Sequence, residues 1–212
     1  MANEYRTATD GLEESLAHGK NTDVTQRVMQ LSATKSLKKL SESLKHISGT
    51  ETADAAVALL LKPANNRLSV LFVKRANSPN DPWSGQTALP GGKREPKDRS
   101  LKHTIIRETL EETNIDLEHR CRFLGTTSTQ HSNRSPEMRI LPFVILLEHE
   151  PTVKLNEKEL EGFAWISLKE LTDHKGTVKS IHGEPPAYII DNQVIWGLTY
   201  RVIEDFLKTV YP

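Results

Sequence analysis

The chain has 212 residues, and its 28 Lys and Arg residues balance 28 Asp and Glu residues to a formal net charge of zero. This length predicts one compact domain with an appendage, and the charge balance excludes a global field that attracts nucleic acid polymers or anionic membranes. The single Cys121 excludes an internal disulfide, and no apolar run approaches a membrane span of roughly 18 residues. We therefore expect a cytoplasmic protein.

The first element in chain order is an N-terminal extension, residues 1–49, predicted to be partly disordered and then helical. Residues 1 to about 22 are polar with few large apolar groups. Beyond them, apolar residues recur at helical spacing and predict two short helices or one broken helix. These residues are Val24, Val28, Leu31, Leu37, Leu40, Leu44 and Ile47. The second stripe packs either on its own domain or on a second subunit, so we expect a monomer or a homodimer.

From residue 50 the pattern changes to one typical of a sheet. Apolar runs at 53–61 and 68–74 flank a Pro-Ala-Asn-Asn turn and predict two strands. Further strands are predicted at 121–129, 140–147 and 162–166, and a final helix at 194–210. Residues 50–212 are thus expected to form one α/β (α+β) domain with helices packed around a mixed sheet.

Between the second and third of these strands lies the most informative segment. The stretch from Ser100 to Thr113 has no Gly or Pro and carries an apolar stripe, so it predicts a helix that begins near Asp98 or Ser100. Steps of three and four residues place the carboxylates of Glu108, Glu111 and Glu112 on one patch of that helix.

Like charges at this spacing destabilise an isolated helix by roughly 0.2 to 0.5 kcal/mol per pair, so their clustering requires a reason. A hard cation supplies one, because Mg²⁺ prefers oxygen ligands and typically shares its coordination shell with substrate phosphates. The alternative reading is a solvated acidic helix face. The preceding glycines, Gly91 and Gly92, favour the metal, because they let the backbone turn tightly and approach a metal or phosphate.

These residues resemble the Nudix hydrolases. The run Arg107-Glu108-Thr109-Leu110-Glu111-Glu112-Thr113-Asn114-Ile115 is similar to the second half of that family's signature. The run Trp83-Ser84-Gly85-Gln86-Thr87-Ala88-Leu89-Pro90-Gly91-Gly92 looks like the glycine turn of the coenzyme A diphosphatase branch, and Val194-Ile195-Trp196-Gly197-Leu198-Thr199 resembles that branch's C-terminal block. The resemblance implies a Nudix-type mixed sheet sandwiched between helices.

Departures from the family pattern fall at two signature positions. The first signature Glu is replaced by Arg99, with Asp98 as the nearest acid, which suggests retained activity with altered metal affinity. The last signature Gly is Asn114, a mild change, because Asn tolerates the left-handed conformation that helix C-termini require. The approach to the glycine block, residues 76–83, also departs from the coenzyme A branch and leaves substrate identity open.

The resemblance implies a metal-dependent site. Mg²⁺ or Mn²⁺ is expected on Glu108, Glu111, Glu112 and the Gly92 carbonyl, where it would lower the pKa of a bound water that attacks phosphorus. Arg107 is expected to orient a carboxylate. Glu159 is the candidate general base, in competition with Glu157 and Glu161. The predicted catalytic residues are therefore Arg107, Glu111, Glu112 and Glu159.

Candidate substrate contacts are Lys74, Arg75, Gln86, Gly91 and Arg134. For each charged or polar side chain among them, ordinary solvent exposure or a bond within the fold is the alternative. The sequence therefore predicts a metal-dependent diphosphatase acting on a small-molecule diphosphate, with coenzyme A or a related compound as the first candidate. The alternatives are another nucleotide, such as ADP-ribose, NADH or a nucleoside triphosphate, and a ligand-binding module with weak catalysis.

Overall fold

The computed structural model describes residues 37–64, 67–79, 83–133, 135–180 and 183–210. The chain divides into two compact units, residues 1–42 and 43–212. Residues 37–43 form a helix, α1, which ends before Leu44, so the predicted helical stripe through Leu44 to Ile47 is wrong beyond residue 43. Ile47 instead packs, partly buried, against the core of the larger unit. The first predicted stripe, Val24 to Leu31, lies outside the described residues.

The larger unit is built on an eight-stranded sheet. Its strands are β1 (Ala55–Ala64), β2 (Arg67–Arg75), β3 (Thr87–Ala88), β4 (Gly91–Lys93), β5 (Cys121–Thr126), β6 (Gln130–His131), β7 (Arg139–Leu147) and β8 (Leu160–Ser167). Strand β1 pairs with β7 in parallel and with β2 and β4 in antiparallel orientation. Strand β2 also pairs with β3 and β8, and β7 with β5 and β6. The predicted mixed sheet is confirmed.

The central strands are almost continuously buried, as expected for strands covered on both faces. Helix α2 (Leu101–Thr113) contacts β1, β4 and β7 and buries Leu101 and Ile105 in a cluster with Ala56, Phe143 and Ile145. Burial of one such large aliphatic side chain contributes about 1.5 to 3 kcal/mol. The site-bearing helix is therefore fixed to the sheet by its apolar stripe.

A second, three-stranded antiparallel sheet follows the main one, and the sequence patterns did not predict it. Helix α3 (Leu168–Asp173) leads into β9 (Lys175–Thr177), β10 (Pro186–Ile190) and β11 (Gln193–Trp196), and then helix α4 (Gly197–Val210). The predicted helix at 194–210 is therefore wrong in its first three residues, which pair with β10. Among the described residues, none of the helices is both long and apolar enough to cross a membrane.

Candidate functional site

Helix α2 is defined at both ends by its caps. The Ser100 side chain accepts a hydrogen bond from the His103 backbone N–H over 3.2 Å and begins the helix one residue later. Asn114 ends it in the left-handed conformation, with φ of 59°, and donates its backbone N–H to the Leu110 carbonyl. The predicted role of Asn114 at the signature's last glycine position is confirmed in its backbone geometry.

The three predicted carboxylates of α2 differ in burial. Glu112 is 4% exposed, and its Oε2 accepts the backbone N–H of Gly91 over 2.9 Å. Glu108 is partly buried and lies against Gly92, where an added Cβ would fall 2.4 Å from the Glu108 carboxylate. The side chain of Glu111 is half exposed. The helix and the glycine strand β4 thus place two buried carboxylate groups against bare backbone.

Arg107 is held by a buried acid that lies outside the helix. Its Nε and Nη2 donate to the two carboxylate oxygens of Asp98 over 3.1 and 3.0 Å, and the Asp98 side chain is fully buried. This bidentate pair holds the pKa of Asp98 well below its usual range. Nη1 of Arg107 lies 3.0 Å from both Glu108 and Glu111. Arg107 therefore links the loop before α2 to its carboxylates.

An acidic loop docks on the C-terminal end of the same helix. The backbone N–H groups of Lys154 and Asn156 donate to the carbonyls of Thr113 and Glu112 over 2.9 and 3.0 Å, which satisfies carbonyl groups at the helix end. The Asn156 side chain then donates to Glu159 Oε1 over 2.9 Å. Asn156 thereby connects the C-terminal end of α2 to the candidate base, Glu159.

Charges from these elements act on one another. Burial raises the pKa of Glu112 to about 8, and the charges of Glu108 and Glu159 also raise it, while the Gly91 N–H and the charge of Arg75 lower it. Burial likewise raises the pKa of Glu108, with Glu111 and Glu159 raising it and Arg107 lowering it. For these two groups, the effects that raise the pKa outweigh those of the Gly91 N–H, Arg75 and Arg107 that lower it.

This imbalance fits a bound cation. A buried carboxylate is costly unless it is paired or coordinates a metal, and the lack of a side chain at Gly92 lets the Glu108 carboxylate lie directly against that backbone. Within the described ranges, however, no three His, Cys, Asp or Glu side chains already converge as a metal-holding group. Arg107 occupies the position between Glu108 and Glu111 instead. The donor set suits a hard cation, and Arg107 competes for two of its members.

The other predicted site residues fall at different places. The charge of Arg75 lowers the pKa of Glu112, and the Gly91 N–H donates to the Glu112 carboxylate directly. Lys74 instead forms an ion pair with Glu161 over 2.9 Å. Gln86 contributes backbone bonds to Arg75 and Trp83 in the loop before β3. Arg134 lies outside the described residues.

The competing bases are separated by their contacts. Glu161 binds both Lys74 and the side-chain amide of Asn77. Glu157 and Glu159 are both exposed in the turn before β8, but Glu159 accepts a hydrogen bond from Asn156 and raises the pKa values of Glu108 and Glu112. The sequence patterns missed Asp98 and Asn156 as positioning residues. Asp98 could have been found as the acid next to the replaced signature Glu, whereas no sequence pattern pointed to Asn156.

A glycine-bounded strand, a capped helix with three carboxylates and a docked acidic loop together define a candidate cation site on a mixed α+β fold. Carboxylates that hold hard cations are typical of enzymes acting on phosphate compounds. The chain belongs to the Nudix family, whose model, described as the NUDIX domain, matches residues 52–185. Nudix hydrolases are pyrophosphohydrolases that generally use divalent metal ions. The resemblance noted in the sequence is confirmed.

Similar curated proteins span different shares of the chain. An uncharacterized protein of Schizosaccharomyces pombe is 38% identical over 108 residues, covering 48% of this chain and 32% of that protein. An uncharacterized Nudix hydrolase NudL of Yersinia enterocolitica is 33% identical over 60% of this chain and 67% of its own length. An uncharacterized Nudix hydrolase NudL of Photorhabdus laumondii is 27% identical over 82% of this chain and 89% of its own length. The chain thus spans about a third of the fission yeast relative.

Among solved structures, the NUDIX domain of Shewanella oneidensis NrtR, complexed with ADP ribose, matches with a TM-score of 0.49 and 18% identity. That match covers 77% of this chain and 92% of the other. A Caenorhabditis elegans Ap4A hydrolase matches with a TM-score of 0.46 and 20% identity, and the match covers 54% of this chain and 80% of the other.

Proposed function

We propose that this protein hydrolyses the diphosphate bond of a small nucleoside diphosphate derivative, with coenzyme A as the first candidate. The observation that carries this proposal is the buried carboxylate of Glu112, which lies beside Glu108, accepts the Gly91 N–H and has its pKa raised to about 8, chiefly by burial. Family membership supports the reaction class, and the glycine block that resembles the coenzyme A branch supports the substrate.

In this proposal, Glu108, Glu111 and Glu112, with the Gly92 carbonyl, hold Mg²⁺ or Mn²⁺. When bound, such an ion would neutralise the charge of the diphosphate and lower the pKa of a bound water. The residues of the chain then have separate tasks. Asp98 fixes Arg107, Arg107 orients Glu108 and Glu111, and Gly91 orients Glu112 through its N–H.

Glu159 accepts the proton of the attacking water in this scheme. Its carboxylate accepts a hydrogen bond from the Asn156 side chain, the Asn156 backbone N–H donates to the Glu112 carbonyl, and the charge of Glu159 raises the pKa values of Glu108 and Glu112. Arg75, whose charge also acts on Glu112, is the candidate contact for a substrate phosphate oxygen. Gly91, Gln86 and Arg134 stay predicted substrate contacts.

A panel experiment tests the proposed substrate. Purified protein is incubated with coenzyme A, ADP-ribose, NADH and nucleoside triphosphates, each with Mg²⁺ or Mn²⁺, and products are identified by mass. We expect 3′,5′-ADP and phosphopantetheine from coenzyme A. Preference for another compound would move the function to that substrate, and tight binding without any turnover would favour a ligand-binding module. The ligand-binding alternative was motivated by Arg99 at the position of the first signature Glu. The Asp98–Arg107 pair weakens it, because the neighbouring Asp98 supplies a carboxylate for Arg107.

A matched pair of variants tests the base. Glu159→Gln should lower kcat by about 10²-fold or more, the scale of general base catalysis, whereas Glu157→Gln, two residues away and exposed, should retain kcat. Both should keep the unfolding midpoint of the parent, measured by circular dichroism. Equal kcat in the two variants would remove Glu159 from the proposed mechanism.

A further inference from the structure

A cavity of about 460 Å³ lies beside β8, bounded by Lys74 and by the turn that joins β10 to β11. Six successive residues of β8, 161–166, line it. Because successive side chains of a strand point to opposite faces, a cavity on one face would be lined by alternate residues. Lining by every residue indicates that the cavity runs along the edge of the strand.

This edge of β8 is open. On its other side β8 pairs with β2 from Ser69 to Arg75, and in the part of the chain that the structure describes no strand pairs with the outer side. An antiparallel strand directs alternate N–H and C=O groups away from its partner, and an unpaired edge of this kind is a template for another extended chain. The cavity thus offers a row of backbone donors and acceptors.

The side chains around this edge are suited to an uncharged group. Glu161, Glu170 and Asp191 face it against one cation, Lys74, which already pairs with Glu161. This acidic excess repels phosphate. Phe163, which is 45% exposed, provides an apolar wall, and Asn192 contributes an amide to the lining. A volume of this size falls in the range of small-molecule sites, about 300 to 1,000 Å³.

The cavity adjoins the carboxylate site along two strands. At the end of β2, Lys74 lines the cavity, and the backbone N–H of Ala76, two residues further on, donates to the Glu159 carbonyl over 2.8 Å. At the start of β8, Glu161 lines the cavity two residues after Glu159, whose side chain accepts a hydrogen bond from Asn156, and the Asn156 backbone N–H donates to the Glu112 carbonyl over 3.0 Å. At roughly 3.3 Å per residue, two residues separate the cavity from Glu159 along the chain. A substrate with its diphosphate at Glu112 therefore needs only a short extension to enter the cavity.

We propose that the open edge of β8 binds the uncharged, amide-bearing arm of the substrate. The inference rests on the proposed function and names the part of the substrate that this cavity selects. The pantetheine arm of coenzyme A carries two secondary amides and no charge, so it can pair along the strand edge as an extended chain does, with its dimethyl group near Phe163. ADP-ribose has no such arm.

The variant Gly162→Leu tests this proposal. Gly162 lines the cavity, and a Cβ added there meets no atom within 4 Å, so the larger side chain fills the groove without displacing the fold. We expect KM for coenzyme A to rise about tenfold or more with kcat nearly unchanged, the pattern of lost uniform binding. Free pantetheine, without metal or diphosphate, should give a saturation-transfer NMR signal with the parent protein and lose it with the variant.

The matched control is Thr177→Leu, which adds bulk to an exposed strand residue outside the cavity and should leave both readouts unchanged. Cleavage of coenzyme A with the parent KM by Gly162→Leu would overturn the arm site while the proposed function stands. Absence of coenzyme A cleavage by the parent, with another diphosphate cleaved, would overturn the substrate and the arm site together. A changed sedimentation coefficient with unchanged KM would show that the edge joins two copies of the chain instead.

Discussion

Asp98 shows how one side chain couples the stability of the fold to the geometry of the site. Its carboxylate is fully buried and its two oxygens bind Arg107, which in turn contacts Glu108 and Glu111. Removal of one partner from a buried ion pair leaves an uncompensated charge and costs about 3 to 5 kcal/mol. We therefore expect Asp98→Asn to lower the free energy of unfolding by about 3 kcal/mol at about pH 7, measured by urea denaturation.

The pH dependence of the same pair has a defined sign. Arg107 holds the pKa of folded Asp98 below its usual value, so the pair stabilises the protein above about pH 4, the unfolded pKa, and this contribution is lost as pH falls towards the folded pKa. Asp98→Asn should lose less stability than the parent between about pH 5 and about pH 3. Arg99→Ala, the exposed neighbour at the replaced signature position, is the control. Arg99→Ala should lose as much stability as the parent over this range, and a loss as large as the parent's in Asp98→Asn would contradict the assignment of Asp98.

The residues of the site were predictable to the extent that they are local. Spacing on one helix placed Glu108, Glu111 and Glu112 together, because helical periodicity follows from the sequence alone. The partner of Arg107 and the orientation of Glu159 were not predictable, because both depend on how loops fold back on the helix. Lys74 illustrates the same limit: its pairing with Glu161 depends on the register between β2 and β8.

At the scale of elements, the two adjacent glycines of strand β4 have different roles. Gly91 has φ of +143°, and a Cβ there would lie 2.2 Å from the backbone oxygen of Ala56, so a side chain displaces the sheet. A Cβ at Gly92 would instead meet the end of the flexible Glu108 side chain. We expect Gly91→Ala to lower stability by about 1 to 3 kcal/mol, and Gly92→Ala to retain stability but lose activity.

Thermal unfolding and kcat measured on both variants test this difference. Because Glu108 must move in Gly92→Ala, its contribution to the metal site is lost, and kcat should fall by about 10²-fold or more with a nearly unchanged melting temperature. If Gly92→Ala instead melts as early as Gly91→Ala, the glycine serves strand packing and Glu108 has no special position against it.

Elements were predictable where their pattern is long and regular. Strands β1, β2 and β7 and helix α2 carry continuous apolar runs or a clear helical stripe, and each was predicted within a few residues. Strands β9 and β10 are short and exposed on several residues, and Pro185 precedes β10, so periodicity gave no signal. The strand β11 runs directly into α4, and its apolar residues were therefore counted as helix.

For the whole molecule, the proposed cation makes a prediction that does not depend on turnover. A ligand that binds only the folded state at about a hundred times its Kd adds about 2.7 kcal/mol of stability. A domain of this size gains about 2 to 4 °C in melting temperature for each kcal/mol, so saturating Mg²⁺ or Mn²⁺ should raise it by roughly 5 to 10 °C. Chelation with EDTA should reverse the shift.

The carboxylate variants decide whether this stabilisation comes from the proposed site. In Glu112→Gln the buried group keeps an oxygen that can accept the Gly91 N–H but carries no charge, so the folded protein should persist while the metal-dependent shift largely disappears. Glu118→Gln, an exposed position just beyond α2, should keep the full shift. An undiminished shift in Glu112→Gln would mean that the ion binds elsewhere on the chain. Because Glu112 is the buried member of the set, its response separates a true metal ligand from a solvated acidic face more sharply than that of Glu111.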